Sequence, residues 1–278
     1  MGGRARKGSL TSGTNHPSGV MVYYTLENPE NSEVSLSFLT LNNDTIKRFS
    51  TSDKKNKLKA EKGNNLLVWD LQGEGAERLD GMILWWASTA APKVVPGTYK
   101  VVLSVDDQVM SQNFNVVADP NSETDRAGMQ RQFEFITSVN ATVDKAHKRI
   151  KKIREINGQL KAFKTRYGDA EALTDLIEQA DTLMKSLSSI EEALYQTQNR
   201  SGQDPLNFPI RLTNKLAHLN ALVGMDDFPP TQQDIAVKNE LTAAIEKELS
   251  RFDELVSQQV TSFNTAFRDL KLDYLFVE

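Results

Sequence analysis

The spacing of apolar residues changes near Asp119-Pro120, and this change divides the chain into two parts. Before this point, apolar and polar residues alternate with a period of two, which is typical of a half-buried β-strand. After it, apolar residues recur at steps of three and four, which is typical of an amphipathic α-helix. All three tryptophans and ten of the 15 glycines also lie in the first part. The 278 residues are therefore predicted to form an α+β chain with two domains.

Six short segments of the first part are rich in strand-forming residues. They are 20–26, 34–39, 46–49, 66–69, 99–105 and 109–117. Turn-forming Asn, Asp, Gly and Pro residues bound them. Short strands at this spacing are typical of an antiparallel sandwich. We therefore predict an immunoglobulin-like β-sandwich over residues 19–118, with Trp69 in its core.

Long amphipathic stripes dominate the second part. The first stripe runs from Phe133 to Phe163, and its helix is predicted to end near Tyr167 with Gly168 as a cap. Asp169 is predicted to cap a second helix, whose apolar stripe extends to Leu194. Both stripes are one-sided, so each helix must bury its stripe against another helix.

Two further helices are predicted after a loop over 199–209. A short helix carries leucines over 212–222, Pro229-Pro230 breaks it, and Thr231 caps a last long helix that extends to Leu270. We predict an antiparallel helical bundle over 126–272, joined to the sandwich by a linker at 119–125. A free-standing coiled coil is not favoured, because strict heptads with charge pairing do not persist.

The composition excludes several classes of site. There are no cysteines, which excludes disulfides, thiolate nucleophiles and Cys-based metal sites. The three histidines, His16, His147 and His218, are too few to favour a His-based metal site. A formal net charge of −4 predicts no attraction to nucleic acid, and no apolar run approaches the roughly 20 residues that span a membrane. We therefore expect no cofactor, no nucleic-acid partner and no membrane span.

The first 18 residues are predicted to be a flexible lead. Arg4, Arg6 and Lys7 are followed by Gly, Ser and Thr residues up to Gly19. A secretory signal would carry an apolar stretch after its basic residues, and this segment has none.

The sequence contains no established catalytic motif. The patterns G-x-S-x-G, H-E-x-x-H, G-x-x-x-x-G-K-[ST] and G-x-G-x-x-G are all absent. Spacing alone does not exclude a Ser-His-Asp triad, but each histidine has a structural interpretation. His16 lies in the lead, His147 lies beside a charged helix face, and His218 lies in a short amphipathic helix. We therefore expect no catalytic residue.

An acidic and aromatic segment follows the fourth predicted strand. Glu74, Glu77 and Asp80 precede Trp85 and Trp86. Paired carboxylates across a cleft can hydrolyse glycosides, and exposed aromatic rings can stack on sugars. One interpretation is a ligand-binding site formed by Trp85, Trp86 and Glu77. The other places Trp85 in the sandwich core and leaves the acids solvated.

Two charged stretches have both a functional and a structural interpretation. The basic run from Lys145 to Arg154 suggests phosphate binding, but a run on one side of an apolar stripe is typical of a solvated helix face. Asp226-Asp227 suggests a metal site, but it also fits a loop and helix cap. The structural interpretation is favoured for both.

Several segments occur in an order that is similar to one family. They are His16-Pro17-Ser18-Gly19-Val20-Met21-Val22-Tyr23-Tyr24, Val68-Trp69-Asp70-Leu71, Gly81-Met82-Ile83-Leu84-Trp85, Val95-Pro96-Gly97-Thr98-Tyr99, 209–222 and Pro229-Pro230-Thr231. Together they resemble the region that follows the β-propeller in bacterial sialidase-like proteins of the BNR-repeat, sortilin-like group. The W-D and P-G-T-Y patterns also resemble the immunoglobulin-like domain of flagellar hook-capping proteins.

The resemblance implies a non-catalytic accessory or interaction region of a secreted or envelope protein, with the parent's β-propeller domain as a partner. It also implies an extracytoplasmic location. No catalytic residue carries over, although full-length relatives are labelled glycosyl hydrolases, because no propeller motif is present to match. A stand-alone carbohydrate-binding or adhesion protein that uses Trp85 and Trp86 is the alternative, and a glycoside hydrolase is a third hypothesis.

Overall fold

The structure is a computed structural model that describes residues 13, 16–168 and 170–270. It divides into two compact units. The β unit contains the described residues up to Gly73 together with Pro96–Val117. The helical unit contains Glu74–Val95 and the described residues from Ala118 onward. Most of the predicted lead, 1–18, lies outside the described residues.

The β unit contains two antiparallel sheets. Its strands are β1 (Val20–Leu26), β2 (Val34–Leu39), β3 (Thr45–Ser50), β4 (Gly63–Trp69), β5 (Gly97–Val105) and β6 (Gln108–Val116). The smaller sheet pairs β1 with β4, and the larger has the order β3-β2-β5-β6. The antiparallel strands predicted from the period of two are therefore confirmed.

Aromatic side chains fill the space between the two sheets. Trp69 of β4 is fully buried and stacks on Phe38 of β2, with ring centroids 4.2 Å apart. Phe114 of β6 meets both rings edge-on. Each such pair adds to the apolar area that is removed from water. The predicted core position of Trp69 is thus observed.

Gly19 allows β1 to start close to the end of β4. Its φ is +126°, and a Cβ placed on it would lie 2.2 Å from the carbonyl oxygen of Trp69. A side chain at this position would collide with the β4 backbone and strain its own backbone. The first residue pair of the small sheet, Val20 and Trp69, depends on this glycine.

The helical unit contains five α-helical segments among the described residues. They are α1 (Arg126–Tyr167), α2 (Thr174–Leu194), α3 (Leu212–Val223), α4 (Gln232–Leu255) and α5 (Thr261–Asp269). Asp125 caps α1 by accepting a hydrogen bond from the Gly128 N–H at 2.7 Å. Thr231 caps α4 as predicted, in a capping box with Asp234. The predicted cap Asp169 lies outside the described residues. No described helix is both long and apolar enough to cross a membrane.

Two helix ends differ from the prediction. Gly168 follows α1, but its φ of −59° is right-handed helical and not the left-handed conformation of a glycine cap. The predicted last helix is not a continuous α-helix, since a π-helical turn, Val256–Val260, separates α4 from α5. At this turn the Thr261 hydroxyl donates to the Val256 carbonyl, five residues earlier.

The helices share one apolar core, and the segment Glu74–Val95 contributes to it. The residues that are fully buried there include Val139, Val143, Ala146, Ile150, Ile153, Leu187, Ile190, Leu194, Leu216 and Ile245. Ala76, Leu79 and Met82 belong to the same core. The prediction placed these three residues inside the 19–118 sandwich. The structure groups them with the helices, because their side chains bury apolar area there.

Candidate functional site on helix α3

The segment between β4 and β5 has little regular secondary structure, yet it is tightly held. A Cβ on Gly75 would lie 2.2 Å from the carbonyl oxygen of Thr89, so glycine is needed for this close approach. The Ala76 N–H donates to the same carbonyl at 2.8 Å. The segment therefore folds back on itself, and residues 83–90 form a loop that we name the tryptophan loop.

Asn214 of α3 binds the backbone of Trp85 on both sides. Its Oδ1 accepts the Trp85 N–H at 2.7 Å, and its Nδ2 donates to the Trp85 carbonyl at 2.9 Å. The carboxamide thus replaces the partner strand that these backbone groups lack. Asn214 is buried, so loss of either bond would leave a polar group away from water.

Two more contacts continue along α3. The Ser88 N–H donates to the Ala217 carbonyl at 3.1 Å. The Nδ1 atom of His218 is hydrogen-bonded to the Trp86 carbonyl. Because a carbonyl can only accept, this nitrogen carries the proton in the bond. The loop backbone is consequently fixed along about two turns of α3.

A buried amide network ties the end of the loop to both α3 and α1. Asn220 Nδ2 donates to the Ser88 carbonyl at 3.0 Å and to Asn140 Oδ1 at 2.7 Å. Asn140 Nδ2 in turn donates to the Ala90 carbonyl at 2.7 Å. Hydrogen-bonded networks in a low-dielectric interior hold their members rigidly. The loop is therefore anchored to two helices.

These contacts hold Trp86 in an unfavourable backbone conformation. Its φ is +49°, a region in which a bulky residue is an outlier that costs on the order of 1–3 kcal/mol. Nevertheless its side chain is 70% exposed. The indole meets the ring of the half-buried Trp85 edge-on, with centroids 6.4 Å apart. The helical unit thus stabilises a strained loop that presents a large aromatic ring to solvent.

The exposed side of α3 extends the surface around Trp86. Lys215, His218 and Leu222 follow one another at steps of three and four, so they share one face of the helix, and Arg211 is the N-cap residue that precedes it. Arg211, Lys215 and Leu222 are exposed. We name these four residues and Trp86 the Trp86 surface. It combines a cationic end with an apolar end.

Glu77 is engaged on a different helix. Its N–H donates to Asp144 Oδ1 at 3.0 Å, its carbonyl accepts from His147 Nδ1 at 2.5 Å, and its carboxylate pairs with Lys151 of α1. The structure therefore brings the predicted residues Trp85 and Trp86 together on α3 but holds Glu77 on α1. The other two acids of the segment, Glu74 and Asp80, are exposed.

Trp85 and His147 lie elsewhere than the sequence interpretation suggested. Trp85 does not pack in the β unit, because its backbone is bound by Asn214 in the helical unit. His147 is fully buried and not on the charged face of α1. The sequence does indicate this burial, because His147 lies four residues after Val143 and three before Ile150, which places it on the apolar stripe of the helix.

Burial lowers the pKa of His147 below its ordinary value of 6.5, although the Glu77 carbonyl and the Asp144 carboxylate oppose this. Its Nε2 has no hydrogen-bond partner among the described residues. Because the pKa of His147 is lower in the folded state than in the unfolded state, its neutral ring contributes stability that is fully present above pH 6.5. This contribution is lost as the pH falls toward the pKa of the folded state. We expect the free energy of unfolding, measured in urea between pH 7.5 and pH 5, to fall in the wild type.

The matched variants for this measurement are His147→Leu and His16→Gln. The first removes the titrating ring and should flatten the pH dependence, whereas the second changes an exposed histidine and should leave the slope intact. An unchanged slope in His147→Leu would contradict the assignment.

The basic run of α1 is neutralised by carboxylates. Its ion pairs are Lys145–Glu246, Lys148–Asp144, Arg149–Asp253, Lys151–Glu77, Lys152–Glu155 and Arg154–Glu191. This pairing supports the structural interpretation of the run over phosphate binding. Within the described residues no group of three or more His, Cys, Asp or Glu side chains could hold a metal ion, and Asp226-Asp227 belongs to no such group.

The Trp86 surface combines apolar and cationic groups. It offers an aromatic ring, an aliphatic side chain and two cationic groups. In the described part of the chain, no hydrogen bond joins His218 to a carboxylate. No protein-family model, curated protein or solved structure matches this chain.

Proposed function

We propose that this chain is a non-catalytic interaction module that binds a protein partner through the Trp86 surface. The observation that carries this proposal is Trp86, which is held in a strained backbone conformation while its indole remains 70% exposed. Strain of this kind persists where the surrounding structure enforces it and is concentrated at functional sites. Tryptophan is also one of the residues enriched among the dominant contacts of protein interfaces.

The polar groups beside Trp86 favour a protein partner over a glycan. A sugar site combines an aromatic platform with free hydrogen-bonding groups for the hydroxyls. Asn214 uses both its oxygen and its nitrogen on the backbone of Trp85, and His218 uses Nδ1 on Trp86. The remaining members of the surface are Leu222 and the two cations, whose side chains donate hydrogen bonds but accept none. The complementary partner is an apolar pocket with an acidic rim.

For the fold, we propose an immunoglobulin-type sandwich followed by an antiparallel helical bundle. The strand orders β1-β4 and β3-β2-β5-β6 fit a sandwich that has the B and E strands in one sheet and C′, C, F and G in the other. The position of the core tryptophan departs from antibody domains, since Trp69 lies on the strand corresponding to E and not to C. In this assignment the first strand, A, has no counterpart among the described residues.

We further propose that the module is the accessory region of a sialidase-like β-propeller protein outside the cytoplasm, and that the propeller domain is its partner. The ordered similarity from His16 to Thr231 supports this proposal. The second candidate is a stand-alone carbohydrate-binding or adhesion protein, which the exposed indole of Trp86 favours. A glycoside hydrolase is the weakest candidate, because the carboxylate of Glu77 is paired with Lys151 on α1.

Replacing Leu222, the exposed apolar member of the Trp86 surface on α3, with a photo-crosslinking benzophenone residue in the producing cells tests the proposed partner while Trp86 is kept. We expect crosslinks to a β-propeller domain from position 222 and not from the control position Ile235, an equally exposed apolar residue of α4. Trp86→Ala should then weaken the binding of that purified propeller by about 30-fold or more, because central aromatic contacts contribute about 2 kcal/mol or more. Equal crosslinking from both positions would contradict the proposal.

A glycan array with wild type and Trp86→Ala separates the two candidates. Glycan binding that is lost in Trp86→Ala would replace the protein partner with a carbohydrate. Turnover of a glycoside by the purified chain would overturn the non-catalytic proposal altogether.

A further inference from the structure

A cleft opens between the two sheets of the β unit. It has a volume of about 350 Å³ and is lined by residues 22–25 of β1, Leu36, Val101, Leu103 and residues 110–112 of β6. Among the described residues, β1 pairs only with β4 and β6 pairs only with β5. Both strands that border the cleft therefore have one edge to which the described part of the chain adds no partner strand. We name it the β1–β6 cleft.

The inner face of the large sheet is buried at β2 and exposed along part of β6. Leu36, Leu103 and Met110 are cross-strand partners, so they share one face of the sheet. Leu36 is fully buried, whereas Met110 is 61% exposed. The small sheet has two strands and the large one has four. The small sheet consequently covers β6 at Phe114, which contacts Trp69, but leaves Met110 and Gln112 uncovered.

One additional strand would complete this cover. Neighbouring strands lie about 4.8 Å apart, and packed sheets lie about 10 Å apart. A strand paired with the free edge of β1 would extend the small sheet by one strand toward Met110 and Gln112. It would bury Met110 and satisfy the unpaired backbone groups of β1. An extended polypeptide is therefore the occupant that matches both walls of the cleft.

The two free edges lack the features that prevent strand addition. Natural sheets protect exposed edges with lysine, proline or inward-pointing charges. Neither β1, with the sequence VMVYYTL, nor β6, with the sequence QVMSQNFNV, contains a proline or a charged residue. The residues that line the cleft also include no Asp, Glu, Lys, Arg or His. An uncharged strand fits this lining.

The sequence before β1 has a different composition from such a strand. Over residues 2–15, Leu10 is the one large apolar residue, and Gly8 and Gly13 flank it. A strand that covers Met110 must place apolar side chains at alternate positions. We propose that the β1–β6 cleft accepts an extended, uncharged segment of a partner protein as a third strand beside β1. This site lies in the β unit and is independent of the Trp86 surface.

The probe for this site is a phage-displayed library of short random peptides, selected against the full chain. We expect enrichment of peptides with alternating apolar residues and no charge in the central positions. Hydrogen exchange of the chain with a selected synthetic peptide should show new protection in β1. Peptides with apolar residues at steps of three and four, or no enrichment at all, would overturn the proposal.

Two variants of β6 locate the binding. Met110→Lys places a charge in the cleft and should weaken binding by about tenfold or more. Val109→Lys is the matched control, because Val109 is 65% exposed on the opposite face of the same strand. Equal loss in both variants would overturn the proposal.

Two further measurements complete the test. Trp86→Ala should bind the selected peptides as the wild type does, and their loss there would assign binding to the Trp86 surface. Light scattering tests whether a second copy of this chain occupies the cleft. A concentration-dependent dimer that is lost in Met110→Lys would overturn the partner segment in favour of self-association.

Discussion

Trp69→Ala is expected to reduce the free energy of unfolding of the β unit by about 3–5 kcal/mol, the range measured for large aromatic residues replaced in cores. The indole is fully buried, stacks on Phe38 and donates its Nε1–H to the Gln72 carbonyl at 2.8 Å. Its removal leaves a cavity between the sheets and an unpaired carbonyl. Because whole domains are stable by only about 5–15 kcal/mol, this is a large fraction of the total.

Hydrogen exchange measures the effect strand by strand. We expect faster exchange in β2, β4 and β5 of the Trp69→Ala variant. Val68→Ala is the control, since Val68 precedes Trp69 on β4 but points to the opposite face and is partly exposed. It should shift exchange by much less. Similar effects of the two variants would show that Trp69 does not organise the core.

Asn214→Ala is expected to release the tryptophan loop at a cost of about 2–6 kcal/mol. The variant leaves the N–H and the carbonyl of Trp85 without partners, and each buried unsatisfied group costs about 1–3 kcal/mol. Without the two hydrogen bonds from Asn214 to Trp85, Trp86 can leave its left-handed conformation. We expect faster hydrogen exchange over residues 83–90 and a changed tryptophan fluorescence spectrum.

Asn214→Asp and Lys215→Ala refine this measurement. Aspartate has nearly the shape of asparagine but can only accept hydrogen bonds when ionised, so it would face the Trp85 carbonyl with a second acceptor. We expect it to be at least as destabilising as alanine. Lys215→Ala changes an exposed neighbour on the same helix and should leave the loop in place. A wild-type loop in Asn214→Asp would mean that the amide nitrogen contributes nothing.

The elements with a clear hydrophobic period could be predicted from the sequence. The strand from Val20 to Leu26 has the predicted bounds. Thr231 is the predicted cap, and its hydroxyl accepts a hydrogen bond from the Asp234 N–H. The π-helical turn at Val256–Val260 could not be predicted. The apolar spacing of its surroundings is that of an ordinary helix, and only the local Thr261 hydrogen bond marks it.

The segment between β4 and β5 was harder to predict, because it has no period of either kind. Ala76, Leu79 and Met82 are apolar, but the surface against which they pack is formed by the helices. The sequence near these residues does not show that surface. The sequence therefore assigned them to the predicted sandwich, because they lie within its predicted residue range. The number of residues between β4 and β5 was the signal that this segment is more than a hairpin connection.

For the site, the sequence identified the aromatic residues but not the residues that hold them. Trp85 and Trp86 were candidates because adjacent tryptophans are large and chemically distinctive. Asn140, Asn214 and Asn220 were missed, since asparagine has no motif that reveals a buried role. A signal exists in α3, where Asn214 and Asn220 stand among apolar positions that recur with the helical period.

The order of the chain has a consequence for its synthesis on the ribosome. The tryptophan loop precedes α1 and α3 in sequence, so it leaves the exit tunnel before either helix that anchors it. Until Asn214 and His218 of α3 have been made, the contacts that enforce the strained conformation of Trp86 are missing. The same order means that a single cut near Asp119 yields no intact helical unit, because Ala76, Leu79 and Met82 would remain on the other fragment. A gene fusion that contains only residues 126–272 would lack these three apolar residues, and the part of the helical core that they cover would be exposed to water.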